Sequence, residues 1–159
     1  MTPKQQIKGG LIMIIVGIDP GQSGGIAILS GLGIQAYKMP ETERDIYDLL
    51  DNVEGANDAY VKVFLEAVHS MPGQGVASSF KFGRSYGFLR GLIAALKYPL
   101  HDVTPQRWQK ALGCLSHGDK NVTKQRAQQW FPQLKVTHAT ADALLIATWG
   151  KGFLEGKYK

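Results

Sequence analysis

The feature that most constrains the fold is the stretch of residues 14–29, in which two apolar runs are separated by a turn-forming segment. The first run is rich in β-branched residues, which is typical of a buried strand, and it ends at Asp19. Pro20 and the glycines within residues 21–25 turn the chain before the second run starts at Ile26. The stretch therefore predicts a β-hairpin that holds Asp19 at the end of a central strand. An ionised carboxylate in such a place needs a partner, because its desolvation is costly.

Two interpretations of Asp19 are open from the hairpin alone. In one, the carboxylate binds a cation that bridges to phosphate, as happens in nucleases and in the phosphate-binding hairpin of actin-like kinases. In the other, Asp19 only caps the Pro-Gly turn through its own backbone, which is common for Asp before a turn. The choice between them depends on whether other acidic residues are expected at the same edge of the sheet.

A second apolar strand pattern, at residues 61–66, also ends on a carboxylate, that of Glu66. If this strand lies beside the first and parallel to it, Glu66 and Asp19 meet at the carboxyl edge of one sheet. That edge is where α/β proteins place their ligand sites. The repeated pattern therefore favours a metal site that includes both acids.

A third acidic residue, Asp142, lies in the alanine- and leucine-rich segment 138–149, whose composition strongly favours a helix. Thr140 is the expected N-cap of this helix. His138 precedes Asp142 by four residues, so a helix that begins near His138 puts both side chains on one side. A carboxylate in the first turn is also favoured by the helix dipole, which is the structural alternative for Asp142. The small alanine-rich face suits a helix pressed tightly against a sheet edge.

The remaining segments predict the elements that complete an α/β domain. Two of them are strands: a third antiparallel strand at residues 33–38 and a short strand at 98–103. Two helices have clear starts, one at 42–53 capped by Thr42 and one started by Thr104 and Pro105. A long helix follows a Gly-rich loop at 70–80 and runs to about Leu96, and a basic helix is ended by Pro132. The long helix carries Gly83, Gly87 and Gly91 on one face. Such a stripe indicates close backbone approach, either in a dimer seam or a tight sheet contact, or else ordinary core packing.

The length of 159 residues predicts one domain with a substantial core, at residues 13–159, preceded by a flexible leader at residues 1–12. Met13 is an alternative start. No apolar run approaches the roughly 20 residues that span a bilayer, so no membrane partner is expected. The single cysteine, Cys114, excludes a thiolate metal site and fits a reducing compartment. We expect a cytoplasmic protein, including a phage protein that acts in the host cytoplasm, with an organelle as the alternative.

Charge is distributed unevenly along the chain. Residues 1–58 carry 4 Lys/Arg against 8 Asp/Glu, a net charge of −4, whereas residues 59–159 carry 14 against 5, a net charge of +9. So basic a segment favours a polyanionic partner, with nucleic acid first, over a basic surface kept for solubility. The candidate phosphate contacts are Lys81, Arg84, Lys110, Lys120 and Lys124. A small-molecule substrate is not expected.

Three motifs in order carry a family resemblance: residues 17–21 (Gly-Ile-Asp-Pro-Gly), 65–66 (Leu-Glu) and 141–147 (Ala-Asp-Ala-Leu-Leu-Ile-Ala). Over about residues 13–154 the chain resembles the RuvC-type Holliday junction resolvases. The segments 103–105 and 118–120 fall where that family has similar ones. The resemblance implies an RNase H-like α/β fold, a mixed five-stranded sheet with helices on both faces. It also implies a homodimer that cuts two opposed strands of a four-way DNA junction.

The resemblance also implies which residues form the catalytic site. The family's catalytic carboxylates correspond to Asp19, Glu66 and Asp142, which would bind Mg²⁺ or Mn²⁺, with two ions in each site. Three such carboxylates suit hard divalent ions, and two ions can activate water and stabilise the leaving oxygen. The bacterial enzymes have Asp or His three residues before the last acid, where this chain has Ala139. His138 is its natural substitute, similar to the arrangement in chloroplast resolvases, either as a ligand or as a general base.

The function predicted from the sequence is thus a metal-dependent, structure-selective endonuclease for branched DNA, with the loop at residues 69–80 well placed to enter the junction centre. One alternative is another RNase H-like nuclease that acts on hybrid or flap substrates. Another is a non-catalytic junction-binding protein, which would not need the acids. An actin-like kinase is not favoured, because it needs a second phosphate-binding loop and a far longer chain, and neither is present here.

Overall fold

The computed structural model describes residues 12–54, 59–69 and 73–159. The leader predicted at residues 1–12 lies outside the described residues except for Ile12, which begins the first strand. The strands are β1 (Ile12–Asp19), β2 (Gly25–Ser30), β3 (Gly33–Lys38), β4 (Ala59–Glu66) and β5 (Leu100–Val103). The helices are α1 (Glu43–Asp51), followed by a 3₁₀ turn (Asn52–Glu54), α2 (Val76–Ala95), α3 (Pro105–Ala111), α4 (Lys120–Trp130) and α5 (His138–Leu154).

The strands form one five-stranded sheet in the order β3-β2-β1-β4-β5. β1, β2 and β3 pair antiparallel, as expected for consecutive hairpins, whereas β4 lies parallel to β1 and β5 lies parallel to β4. The register pairs Ile18 of β1 with Leu65 of β4, and Glu66 of β4 with Val103 of β5. The predicted mixed five-stranded sheet is confirmed.

Helices cover both faces of the sheet, because successive side chains of a strand point to opposite sides. Ile14, Val16 and Ile18 of β1 belong to a core that includes buried residues of α1 and α2. Ile15 belongs to a second core that includes Trp108 of α3 and buried residues of α4 and α5. The prediction of helices on both faces is therefore confirmed.

Helix α5 lies very close to the centre of the sheet. A β-carbon at Gly17 of β1 would overlap the carbonyl oxygen of Ala143 and lie 2.5 Å from the backbone nitrogen of Ala147. A β-carbon at Gly25 of β2 would likewise overlap the carbonyl oxygen of Ala139. Glycine in the strands and alanine in the helix together allow this approach. The alanine-rich pattern of the helix predicted such packing.

Side-chain caps set the starts of the helices. Thr42 caps α1, with its hydroxyl accepting from the backbone N–H of Asp45 at 3.1 Å, as the sequence predicted. The prediction that Thr140 caps α5 is wrong, since the cap is Thr137. Thr140 instead completes a reciprocal pair, in which its hydroxyl accepts from the backbone N–H of Thr137 at 3.0 Å. Two threonines three residues apart form a capping box, so the first of them is the cap.

Helix α2 differs most from its prediction. It begins at Val76, so the expected Gly-rich loop at residues 70–80 ends earlier, and residues 70–72 lie outside the described residues. Three glycines of α2 are exposed, and no described atom other than the helix's own backbone lies within 4 Å of a β-carbon built at any of them: Gly83, Gly87 and Gly91. A tight sheet contact and core packing are therefore both wrong as explanations of the stripe, which lies on an open face.

Among the helices that the structure describes, none is both long enough and apolar enough to cross a bilayer.

Candidate active site

Two of the predicted site residues end adjacent parallel strands. Asp19 is the last residue of β1, Glu66 is the last residue of β4, and the register pairs Ile18 with Leu65 immediately before them. Glu66 is only 8% exposed and Asp19 is half-buried. Both acids thus lie at the carboxyl edge of the sheet, as the strand patterns predicted.

The other two predicted site residues are on α5. Asp142 is half-buried in the second turn of this helix, and the exposed His138 is its first residue, one turn earlier. The tight packing of α5 on β1 brings Asp142 to the same edge as the two strand-end acids. His138 is close enough to lower the pKa of Asp142 by its charge.

The three carboxylates influence one another. Burial raises the pKa of Asp19 well above its usual range, and the charges of Glu66 and Asp142 add to that rise. Burial also raises the pKa of Glu66 to about 7, to which repulsion from Asp142 contributes. The pKa of Asp142 is raised by burial as well. The site therefore concentrates like charge in a poorly solvated place, which protonation of the acids or a bound cation would relieve.

The charge of Lys120 acts on all three acids. This exposed lysine is the first residue of α4, directly after the N-cap Asp119. Its charge lowers the pKa of Asp19, of Glu66 and of Asp142. The sequence had placed Lys120 only among the candidate phosphate contacts.

Two neutral donors also face the acids. The indole N–H of Trp108 donates to Oε2 of Glu66 at 2.8 Å, and this bond lowers the pKa of that carboxyl. The buried hydroxyl of Thr123 lowers the pKa of Asp142 in the same way. No sequence motif had pointed to Trp108 as part of the site. The available signal was that a buried tryptophan needs an acceptor for its N–H.

The carboxylate oxygens of the three acids are suitable ligands for a hard divalent cation. Carboxylate oxygens are the ligands that Mg²⁺ and Mn²⁺ prefer, and Oδ1 of Asp142 is buried with no hydrogen-bond partner among the described residues. Across residues 12–54, 59–69 and 73–159, no three His, Cys, Asp or Glu side chains lie close enough together to hold an ion as they stand. Lys120, His138 and hydrogen bonds from Trp108 and Thr123 partly offset the three charges.

The other predicted phosphate contacts lie on two sides of the sheet. Lys124 is one turn beyond Lys120 on α4, and Lys110 is exposed in the last turn of α3. Lys81 and Arg84 lie on α2, which packs on the opposite face. These two line a groove with the turn that follows Asp19 and with the start of α1, where Arg84 approaches Glu43 at 3.6 Å.

Two RuvC structures from Thermus thermophilus share this architecture. The structure of T. thermophilus RuvC in complex with a Holliday junction substrate superposes with a TM-score of 0.62 at 18% identity, covering 92% of this chain and 98% of that one. A second Thermus thermophilus RuvC structure gives a TM-score of 0.60 at 18% identity, covering 92% and 99%. The chain has the RuvC fold. The architecture that the sequence resemblance implied is thereby confirmed.

Sequence comparison adds one relative of the same kind. The chloroplast Holliday junction resolvase MOC1 of Chlamydomonas reinhardtii is 28% identical over 95 residues. That match covers 56% of this chain but only 11% of the relative, so the RuvC-fold chain corresponds to a small part of it. No family model matches the chain.

Proposed function

We propose that the chain is a metal-dependent endonuclease that resolves four-way DNA junctions. The observation that carries the proposal is that Asp19 and Glu66 end adjacent parallel strands of a RuvC fold, with Asp142 on the helix that packs tightly against β1. The likeness to a RuvC structure solved with a Holliday junction substrate and to a chloroplast Holliday junction resolvase supports the choice of substrate.

In this proposal Asp19, Glu66 and Asp142 hold Mg²⁺ or Mn²⁺, with two ions in each site. When bound, divalent ions activate water and stabilise the charge that develops on the phosphate. Oδ1 of Asp142, which has no hydrogen-bond partner among the described residues, is available as a metal ligand. His138 is exposed on the same side of α5, where its imidazole either completes the ligand set or accepts the proton of the attacking water.

The basic residues hold the DNA backbone. The charge of Lys120 acts on all three acids, so we assign it to the phosphate that is cut or to its neighbour. Lys124 and Lys110 extend this basic surface along α4 and α3. Lys81 and Arg84 contact the DNA strand that passes on the α2 side. Phosphate contacts of this kind release counterions, so binding weakens steeply as the salt concentration rises.

A homodimer explains how two opposed strands are cut together. Helix α2 exposes four residues on one face at spacings of four, three and four: Val76, Phe80, Gly83 and Gly87. Val76 is 88% exposed and Phe80 is 74% exposed, which is unusual for large apolar side chains grouped on one face. The glycines leave open space for a second helix to approach. We propose that this face is covered by the same helix of a second copy.

The function is tested with a labelled immobile four-way junction beside duplex, RNA–DNA hybrid and flap controls, each with Mg²⁺, Mn²⁺ or EDTA. The Asp142→Asn variant is assayed alongside. Paired symmetric nicks in the junction alone, abolished by EDTA and by the substitution, are the expected result. Cutting of hybrid or flap substrates instead would contradict the junction as substrate, and binding without cutting under every metal would contradict catalysis.

A further inference from the structure

Trp108 is one of two buried neutral side chains that donate hydrogen bonds to the acidic site, the other being Thr123. The side chain of Trp108 is fully buried, and its indole N–H donates to Oε2 of Glu66, 42 residues away in sequence, at 2.8 Å. The bond crosses from α3 to the end of β4. A donor to one carboxylate oxygen restricts the rotation of the carboxylate, and it leaves the other oxygen available.

We propose that Trp108 is a positioning residue, whose indole N–H orients Glu66 so that Oε1 faces a divalent ion. This inference rests on the proposed metal-dependent function. Groups that hydrogen-bond to metal ligands commonly set ligand orientation, and their removal weakens metal binding roughly 10- to 100-fold.

The helix that carries Trp108 is itself held against α5. The guanidinium of the adjacent residue, Arg107, lies 5.3 Å from the ring centre of Trp149 and 5.7 Å from that of Phe153. Helix α3 therefore contacts both Glu66 at the end of β4 and the helix that carries Asp142 and His138.

The chain offers a matched control for this role. Trp149 is also fully buried, but its indole N–H has no hydrogen-bond partner in the described part of the chain. Trp108→Phe and Trp149→Phe thus remove the same atoms from the core, whereas only Trp108→Phe removes a bond to Glu66. The comparison separates the hydrogen bond from packing.

The test is a calorimetric titration of the DNA-free 159-residue protein with Mn²⁺ at neutral pH. We expect Trp108→Phe to bind Mn²⁺ roughly 10-fold or more weakly than the wild type, with Trp149→Phe within about twofold of it. Equal affinity in the two variants would overturn the inference while leaving the proposed function intact. Absence of Mn²⁺ binding in the wild type, or full binding in Asp19→Asn, would overturn the proposed function itself.

Wild-type protein gives a second measurement that does not depend on the folding of Trp108→Phe. In ¹⁵N-labelled protein, the indole N–H of Trp108 should exchange slowly with solvent, and its resonance should shift on addition of Mg²⁺ more than that of Trp149. An indole resonance of Trp108 that does not move while Mg²⁺ saturates the site would overturn the inference.

Discussion

Gly17 of β1 lies directly under Ala147 of α5, with no room between them for a side chain. A β-carbon at Gly17 would be 2.5 Å from the backbone nitrogen of Ala147. The same contact sets the height of α5 above the sheet, and thereby the position of Asp142 relative to Asp19. Packing in the core and geometry of the site therefore depend on one another.

We expect Gly17→Ala to destabilise the protein by roughly 3 kcal/mol or more, because the added methyl group must displace helix backbone and not a flexible side chain. Chemical denaturation measures the change in the free energy of unfolding. The matched control is Gly31→Ala in the β2–β3 turn, where no described atom beyond Gly31 and its two chain neighbours lies within 4 Å of the new methyl group. We expect that variant to stay within about 0.5 kcal/mol of the wild type. Equal stability of the two variants would contradict the tight contact.

Without divalent metal, stability should fall as the pH rises. Burial raises the pKa values of Asp19, Glu66 and Asp142, and that of Glu66 is about 7 in the folded protein. The folded state therefore favours the protonated acids. Their stabilising effect is complete below the pKa of the unfolded chain, and it is lost as the pH rises through about 7 for Glu66.

Thermal melts in EDTA at pH 5 and pH 8 measure this effect. We expect a lower Tm at pH 8, a smaller pH dependence in Asp142→Asn, and recovery of Tm at pH 8 when Mg²⁺ is added, because a ligand that binds only the folded state stabilises it. A Tm in EDTA that rises from pH 5 to pH 8 would show that the acids are not desolvated together.

Removing the charge of Lys120 should weaken both DNA binding and cleavage. Lys120→Ala deletes the cation that offsets all three carboxylates, and in our proposal it also deletes a phosphate contact. The logarithm of the junction-binding constant should fall less steeply with the logarithm of the salt concentration, by about one unit of slope. Lys151→Ala is the control, since this exposed lysine lies in the last turn of α5 and approaches Glu155 at 4.0 Å. An equal change of the salt-dependence slope in both variants would contradict a specific phosphate contact of Lys120.

Replacing Phe80 with a charged residue should separate the dimer. Phe80→Glu places a carboxylate in the exposed apolar face of α2, where a second copy would bury it without a partner. Sedimentation velocity should show a monomer for Phe80→Glu. Leu32→Glu serves as the control, because Leu32 is 89% exposed in the β2–β3 turn, away from α2, and should leave the assembly unchanged. A Phe80→Glu protein of unchanged mass in solution would contradict the proposed interface.

Local patterns in the sequence were sufficient for much of the fold. The hairpin around Asp19 follows from β-branched runs on either side of a Pro-Gly turn, and the second acid-terminated strand follows from the same pattern at Glu66. The start of α1 at Thr42 and that of α3 at Thr104 follow from side chains that bond to the backbone three residues on. Each of these signals lies within a few residues of the structure that it predicts.

The sequence by itself determined the elements, the acids at the ends of two strands and the helix that carries the third acid. Only the tertiary structure decided which groups face those acids, because the bond from Trp108 to Glu66 joins residues 42 apart and depends on how α3 docks against the sheet. It also decided that the glycine face of α2 is open, since periodicity reports that residues share a face and not what that face meets. Local periodicity and capping depend on neighbours in the chain, whereas the partners of a buried polar group depend on the packing of the whole domain.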